Sequence, residues 1–221
     1  VHTMDQEGNM NEWAPAEEAR SSSDRWVNPK KWTERVEKGR KFKSWRGRIL
    51  SSPVSVGYEI WGEDGKPSRA KTAAGLAHIK PRQDGKFGPD KIKRQWAIAF
   101  GDVEAGQVVV WTIHQKMIQD GLAEKVTKWG KPENANEPFG YDVVVTQYVK
   151  DGKTLYSVDV PGAEDGTARY ACPPAIEAEW TALKAAGFDL EALWTGGDPF
   201  PSAPAASDSG ANVGTANDLP F

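Results

Sequence analysis

Residues 95–113 read QWAIAFGDVEAGQVVVWTI, and the fold turns on this stretch. Two runs rich in aromatic, aliphatic and β-branched residues, 95–100 and 107–113, flank a polar connection bounded by Gly101 and Gly106. Strand-like runs on either side of a glycine-bearing turn predict a β-hairpin. On its N-terminal side, residues 42–50 alternate. Lys43, Trp45, Gly47 and Ile49 fall on one face, with Ser44, Arg46 and Arg48 on the other. Residues 54–61 form another run, closed by the Asp64-Gly65 turn signal. On the C-terminal side, Ile118, Leu122, Val126 and Trp129 are spaced by three and four residues, which predicts a helix over 115–129. Gly121 weakens that helix slightly.

Residues 141–149 are rich in β-branched side chains, Asp151-Gly152 is a hairpin turn, and 155–160 supplies the partner strand. Pro173-Pro174 then opens a helical pattern with Ile176, Trp180 and Leu183 on one face, stopping at Gly187 before a short turn through Leu193-Trp194. The expected class is mainly β. The architecture is an OB-fold-like five- to six-stranded antiparallel barrel with an inserted helix and a C-terminal helix, flanked by disordered tails. The chain divides into a disordered arm (1–28), a barrel domain (29–163), a C-terminal helical segment (164–195) and a flexible tail (196–221). Within the barrel domain, residues 30–43 are a basic amphipathic stretch, read as a short helix ending at Gly39. Residues 62–93 are a polar connection too long to be idle, either disordered or functional.

Of the 221 residues, 38% are hydrophobic and 27% charged, which leaves room for one good-sized domain and tails. No run of 18 apolar residues occurs, so no membrane span is expected. The N-terminus has neither the basic nor the apolar region of a secretory signal. Cys172 is the only cysteine, which rules out an internal disulfide and points to a reducing, cytoplasmic setting. With His2, His78 and His114 as the only histidines, ligands for a zinc site are too few; no metal and no cofactor are expected. Phosphate-loop, nucleophile-elbow and zinc-protease motifs do not occur. Asp102 and Glu104 lie in a turn, and nothing marks Asp142 or Asp159 for catalysis. The chain reads as a binding protein, not an enzyme.

The formal net charge of −3 conceals a segregation. Residues 25–94 carry 19 basic and seven acidic side chains, while 1–24 carry one and six, and 164–221 two and nine. A basic body between acidic ends fits a polyanion-binding surface. Ten tryptophans accompany it. Trp96, Trp111 and Trp129 sit in apolar patterns suited to a core. Trp45, Tyr58 and Trp61 lie beside Arg46, Arg48, Lys66, Arg69 and Lys71. Rings that stack bases, next to cations that neutralise phosphates, are what single strands need. Trp61 suits stacking and packing alike. The connection adds Lys80, Arg82, Lys86, Lys91 and Lys93, with Phe87 among them, and Arg94 follows. Such a loop clamps a backbone or is simply an exposed insertion. Trp111 and Lys116 complete the candidate DNA-binding set. The chain ends in Asp218, Leu219, Pro220 and Phe221, where a ring and a carboxylate at one point suit a partner pocket with an apolar floor and a basic rim.

These segments resemble the bacteriophage and prophage single-stranded DNA-binding proteins with an OB-fold. The matching stretches are 48–53 with 57–61, 65–69, 95–100, 109–119, 129–132, 140–143 and 155–158. The resemblance covers roughly residues 42–160, and order and spacing carry it more than any one motif. The Leu219-Pro220-Phe221 end is similar to the tips with which bacterial single-stranded DNA-binding proteins recruit replication, recombination and repair enzymes. Three departures stand out: a mildly acidic tail (Asp198, Asp208, Asp218), an apparent insertion at 133–138, and Gln147 where relatives tend to be basic. The resemblance implies non-sequence-specific binding and protection of single-stranded DNA in phage replication and recombination. It implies partners recruited through the tail and no nucleotide hydrolysis. Two readings stand beside it: an OB-fold protein-interaction module whose basic face meets another protein, and an RNA-binding chaperone of phage origin.

Overall fold

The computed structural model describes residues 25–51, 54–83, 88–134, 137–162 and 169–201. Its strands are β1 (Thr33–Glu37), β2 (Arg40–Ile49), β3 (Ser55–Trp61), β4 (Pro67–Ala70), β5 (Lys93–Asp102), β6 (Gln107–Ile113), β7 (Asp142–Lys150) and β8 (Lys153–Asp159). Helix α1 (Lys116–Trp129) lies between β6 and β7, and α2 (Pro174–Ala185) follows β8. The fold class is mainly β, as the hairpin and alternation patterns predict. One antiparallel sheet runs β4-β3-β5-β2-β7-β8, with β1 on β2 and β6 on β5. β2 and β3 act as one long bent strand, because both pair with β5: Ile49 lies opposite Phe100, and Ser55 opposite Ala97. This connectivity is of the OB type.

Two expectations about the sheet need correction. There are eight strands among the described residues, not five or six, and the sheet is open, since β6 and β8 do not pair. Helix α1 bridges that gap by packing on β8. Gly121 permits the approach, because a Cβ there would come within 2.8 Å of the Val158 side chain. The residue that costs helix propensity thus gains close helix–sheet packing. Residues 30–43, read as a helix, form instead a 3-10 turn and the β1–β2 hairpin, with Glu37 opposite Arg40. Lys38 and Gly39 both adopt positive φ (48° and 74°), as two-residue hairpin turns require, and the glycine accepts this without strain.

The sheet is buried on both faces around β5 and β6. On the inner face, Trp45, Ile49, Ile98, Phe100, Val109 and Trp111 pack with Ile118 and Leu122 of α1 and with Val143, Val145 and Val158. On the outer face, Leu50, Ala99 and Val108 meet Ile176, Trp180 and Leu183, while Ala97 and Val110 meet Leu190, Leu193 and Trp194. Strands covered on both sides read as continuous apolar runs, which is why 97–100 and 108–111 lack a polar face. The outer cover sits close because the sheet is paved with small residues. A Cβ on Gly101 would lie 2.4 Å from Ile176, and one on Gly57 2.2 Å from the Trp194 ring.

The described part of the expected C-terminal helical segment (164–195) therefore covers the outer face of the sheet. Residues 25–28 and 196–201, expected within the tails, also pack against the folded body. Val27 N–H donates to Val110 C=O at 3.1 Å, and Asn28 caps the turn at Pro29–Lys31. At the other end, Phe200 packs on Phe188 with Arg25 over its ring at 4.6 Å.

Candidate nucleic-acid interface

The connection from β3 to β5 is ordered through its described residues. It folds back on itself: Glu63 N–H donates to Lys80 C=O at 3.1 Å and Arg82 N–H to Trp61 C=O at 2.9 Å. That return places the Arg82 guanidinium over the Trp61 ring, 5.2 Å from its centroid, while its Nε donates to Asp90 at 3.0 Å. Trp61 is half-buried, with its ring partly roofed by a cation. Around this stack Lys66, Lys80, Lys91, Lys93 and Arg94 are all exposed. Tyr58 lies across from Arg94, and Glu59 across from Lys93. Burial holds the His114 imidazole below its usual range, with Lys93 adding to the shift and Glu59 opposing it. Lys86 and Phe87 lie outside the described residues.

Other candidates are engaged within the protein. Arg69 donates to Glu59 at 2.8 Å and stacks over Trp26 at 5.3 Å. Lys71 pairs with Glu191, which also accepts from Ser55 at 2.7 Å; these hydrogen bonds, that of Lys71 first, hold the Glu191 carboxyl below the usual carboxylate range. Lys116 is exposed at the start of α1 and pairs with Asp120 at 2.7 Å.

Three candidates are corrected outright. Trp45 and Trp111 are core residues, edge-to-face at 5.4 Å, and Trp45 Nε1 donates to Asp102 at 2.8 Å. Neither ring has a free face for a base. Arg48 is 1% exposed; its Nε meets Asp142 at 2.6 Å and its Nη1 donates to Tyr170 C=O at 2.9 Å. Arg46 shares Asp142 and lies half-exposed over the Tyr170 ring at 5.6 Å. The alternation places both arginines opposite Trp45, as read. What closes over Arg48 is a chain segment more than a hundred residues away, which alternation does not reveal.

Further cations, outside the candidate set, cluster on the β1–β2 hairpin. Arg35, Lys38, Arg40 and Lys41 are exposed, and Lys43 is half-buried. Phe42 lies 6.1 Å from Tyr148 across the β2–β7 pair, with Arg35 over Phe42 at 5.7 Å. The β7–β8 turn adds exposed Lys150 and Lys153. The signal was present as a run of basic residues; reading it as a helix hid the Lys38-Gly39 turn that presents it.

Compared with protein-family models, curated proteins and solved structures, the chain finds no match. The geometry therefore stands by itself. OB-type barrels take oligonucleotides on the face of their second and third strands, between two flanking loops. Here β5 and β6 hold those places, and their outer face is covered by 172–200. The flanking connections are the β3–β5 excursion and the β7–β8 turn, and both are cationic. Among the described residues no three His, Cys, Asp or Glu side chains form a metal-ligand group. None of the described helices is long and apolar enough to cross a membrane.

Proposed function

We propose that this chain binds single-stranded DNA without sequence preference and protects it during phage replication and recombination. One observation carries the reading: exposed cations gather on the two connections that flank the sheet, and half-exposed aromatics stand beside the first of them, the Trp61–Arg82 stack being the clearest instance. Cations there neutralise phosphates and release counterions, while rings such as Trp61 and Tyr58 offer π-faces that any base can use. The interface comprises Tyr58, Trp61, Lys66, Lys80, Arg82, Lys93 and Arg94, joined by the β1–β2 hairpin. The chain acts as a binding protein, without catalysis. Partner recruitment through Asp218, Leu219, Pro220 and Phe221 rests on the sequence resemblance, as those residues lie outside the described ones.

The test is a titration with poly(dT), followed by intrinsic tryptophan fluorescence at low and then moderate salt. Saturable quenching that weakens with salt, with little response to duplex, is the expected result. Absence of quenching at low salt overturns the reading and transfers the cationic surface to a protein partner. Equal competition by RNA reassigns the chain as an RNA chaperone.

A further inference from the structure

The inner face of the sheet does not close completely. Between α1 and the inner side of β2 and β5 lies a cleft of about 260 Å³. Its walls include Ile49, Val54, Trp96, Ile98, Val126 and Phe139. An apolar cavity of ~150 Å³ already accepts a benzene ring, so this one has room for a larger planar group. Trp96 is half-buried and supplies an aromatic wall.

Few polar groups in the cleft are free to read a ligand. Ser51 Oγ accepts from Ala99 N–H at 2.9 Å, and Thr127 Oγ1 donates to Ala123 C=O at 2.9 Å. The rim is cationic. Lys131 borders the cleft and is exposed. Along β5, Arg94 shares the face of Trp96 one pleat further out, opposite Tyr58. An aromatic-walled apolar slot with cations at its rim complements a planar, uncharged ring on an anionic chain.

The geometry points to a nucleobase-binding slot: one unpaired base of a bound strand inserts between α1 and β5 against Trp96, with its flanking phosphates at Lys131 and Arg94. This rests on the single-strand reading above and adds a base contact on the inner face to those at Trp61 and Tyr58. The slot holds a base by stacking and burial, with little hydrogen-bond discrimination, so it tolerates any sequence.

The experiment uses the full chain and two oligonucleotides of equal length, one of dT and one an abasic deoxyribose-phosphate chain. The variant Ala123→Trp adds a ring at the cleft mouth from an exposed helix position, where folding is little affected. Wild type is expected to bind dT at least about fivefold more tightly than the abasic chain, as stacking of a base implies. Ala123→Trp is expected to lower that ratio at least about twofold, with Trp61 and Tyr58 supplying the remainder, while leaving abasic binding unchanged. Lys131→Glu, which leaves the apolar walls intact, is expected to weaken both chains. If wild type binds dT tightly and Ala123→Trp leaves the ratio unchanged, the slot is not a base site, although the single-strand reading stands. If wild type binds neither chain, both fall together.

Discussion

The two faces of β5 show opposite solutions to burial. Inward it presents Trp96, Ile98 and Phe100; outward it presents Gln95, Ala97, Ala99 and Gly101. The large inward residues meet an α1 that does not seal them, leaving Trp96 at the edge of a cleft. The small outward residues let Ile176 and Trp194 come down onto the sheet backbone. Small residues thus make a permanent seat for a cover, whereas large ones leave aromatic surface at the margin. The outer face is a packed layer, and the inner margin leaves the Trp96 ring accessible.

The outer layer should fail hardest when an anchor is lost. Trp194→Ala removes a buried ring whose Nε1 donates to Ser55 at 2.7 Å. It should cost about 3–5 kcal/mol in urea unfolding, and a cost below about 1 kcal/mol would show that the cover is not seated. Asp142→Asn leaves Arg48 buried without a counter-charge and should cost about 3 kcal/mol; a neutral outcome in thermal unfolding would contradict the buried pair. Gly101→Ala tests the close approach directly. Its Cβ meets Ile176, so a loss of about 1–3 kcal/mol is expected, against a gain if the strand position were open.

Most of the element pattern was legible because it is local. The runs at 95–100 and 107–113, the spacing of Ile118, Leu122 and Val126, and the Asp151-Gly152 turn each appear in the structure as strand, helix and hairpin. What the sequence hid is non-local. Arg48 looks like a phosphate ligand until Asp142 and the Tyr170 carbonyl close over it. Trp45 looks like a stacking ring until Phe100 and Trp111 flank it. Residues 33–37 carry no apolar alternation because every residue of β1 is exposed, so periodicity had nothing to report.

The smallest expected effect concerns pH. Glu191 has its carboxyl held below the usual range by Lys71 and Ser55. Its ionised form therefore favours the folded state above the ordinary glutamate value, about 4.3, and that contribution is lost as pH falls through its folded value. Because the pair is half-exposed, the effect is small. Glu191→Gln should slightly flatten the acid limb of the Tm–pH curve; an identical curve would remove Glu191 from the contacts that hold the cover.

The most direct measurement is fluorine NMR of the full chain labelled with 5-fluorotryptophan, titrated with oligo(dT), each resonance assigned by single Trp→Phe substitution. The account predicts that the Trp61 and Trp96 signals shift on binding while those of Trp45, Trp111, Trp180 and Trp194 hold. Shifts confined to Trp180 and Trp194, with Trp61 and Trp96 unmoved, would place the strand on the outer face after displacement of the cover and contradict the account.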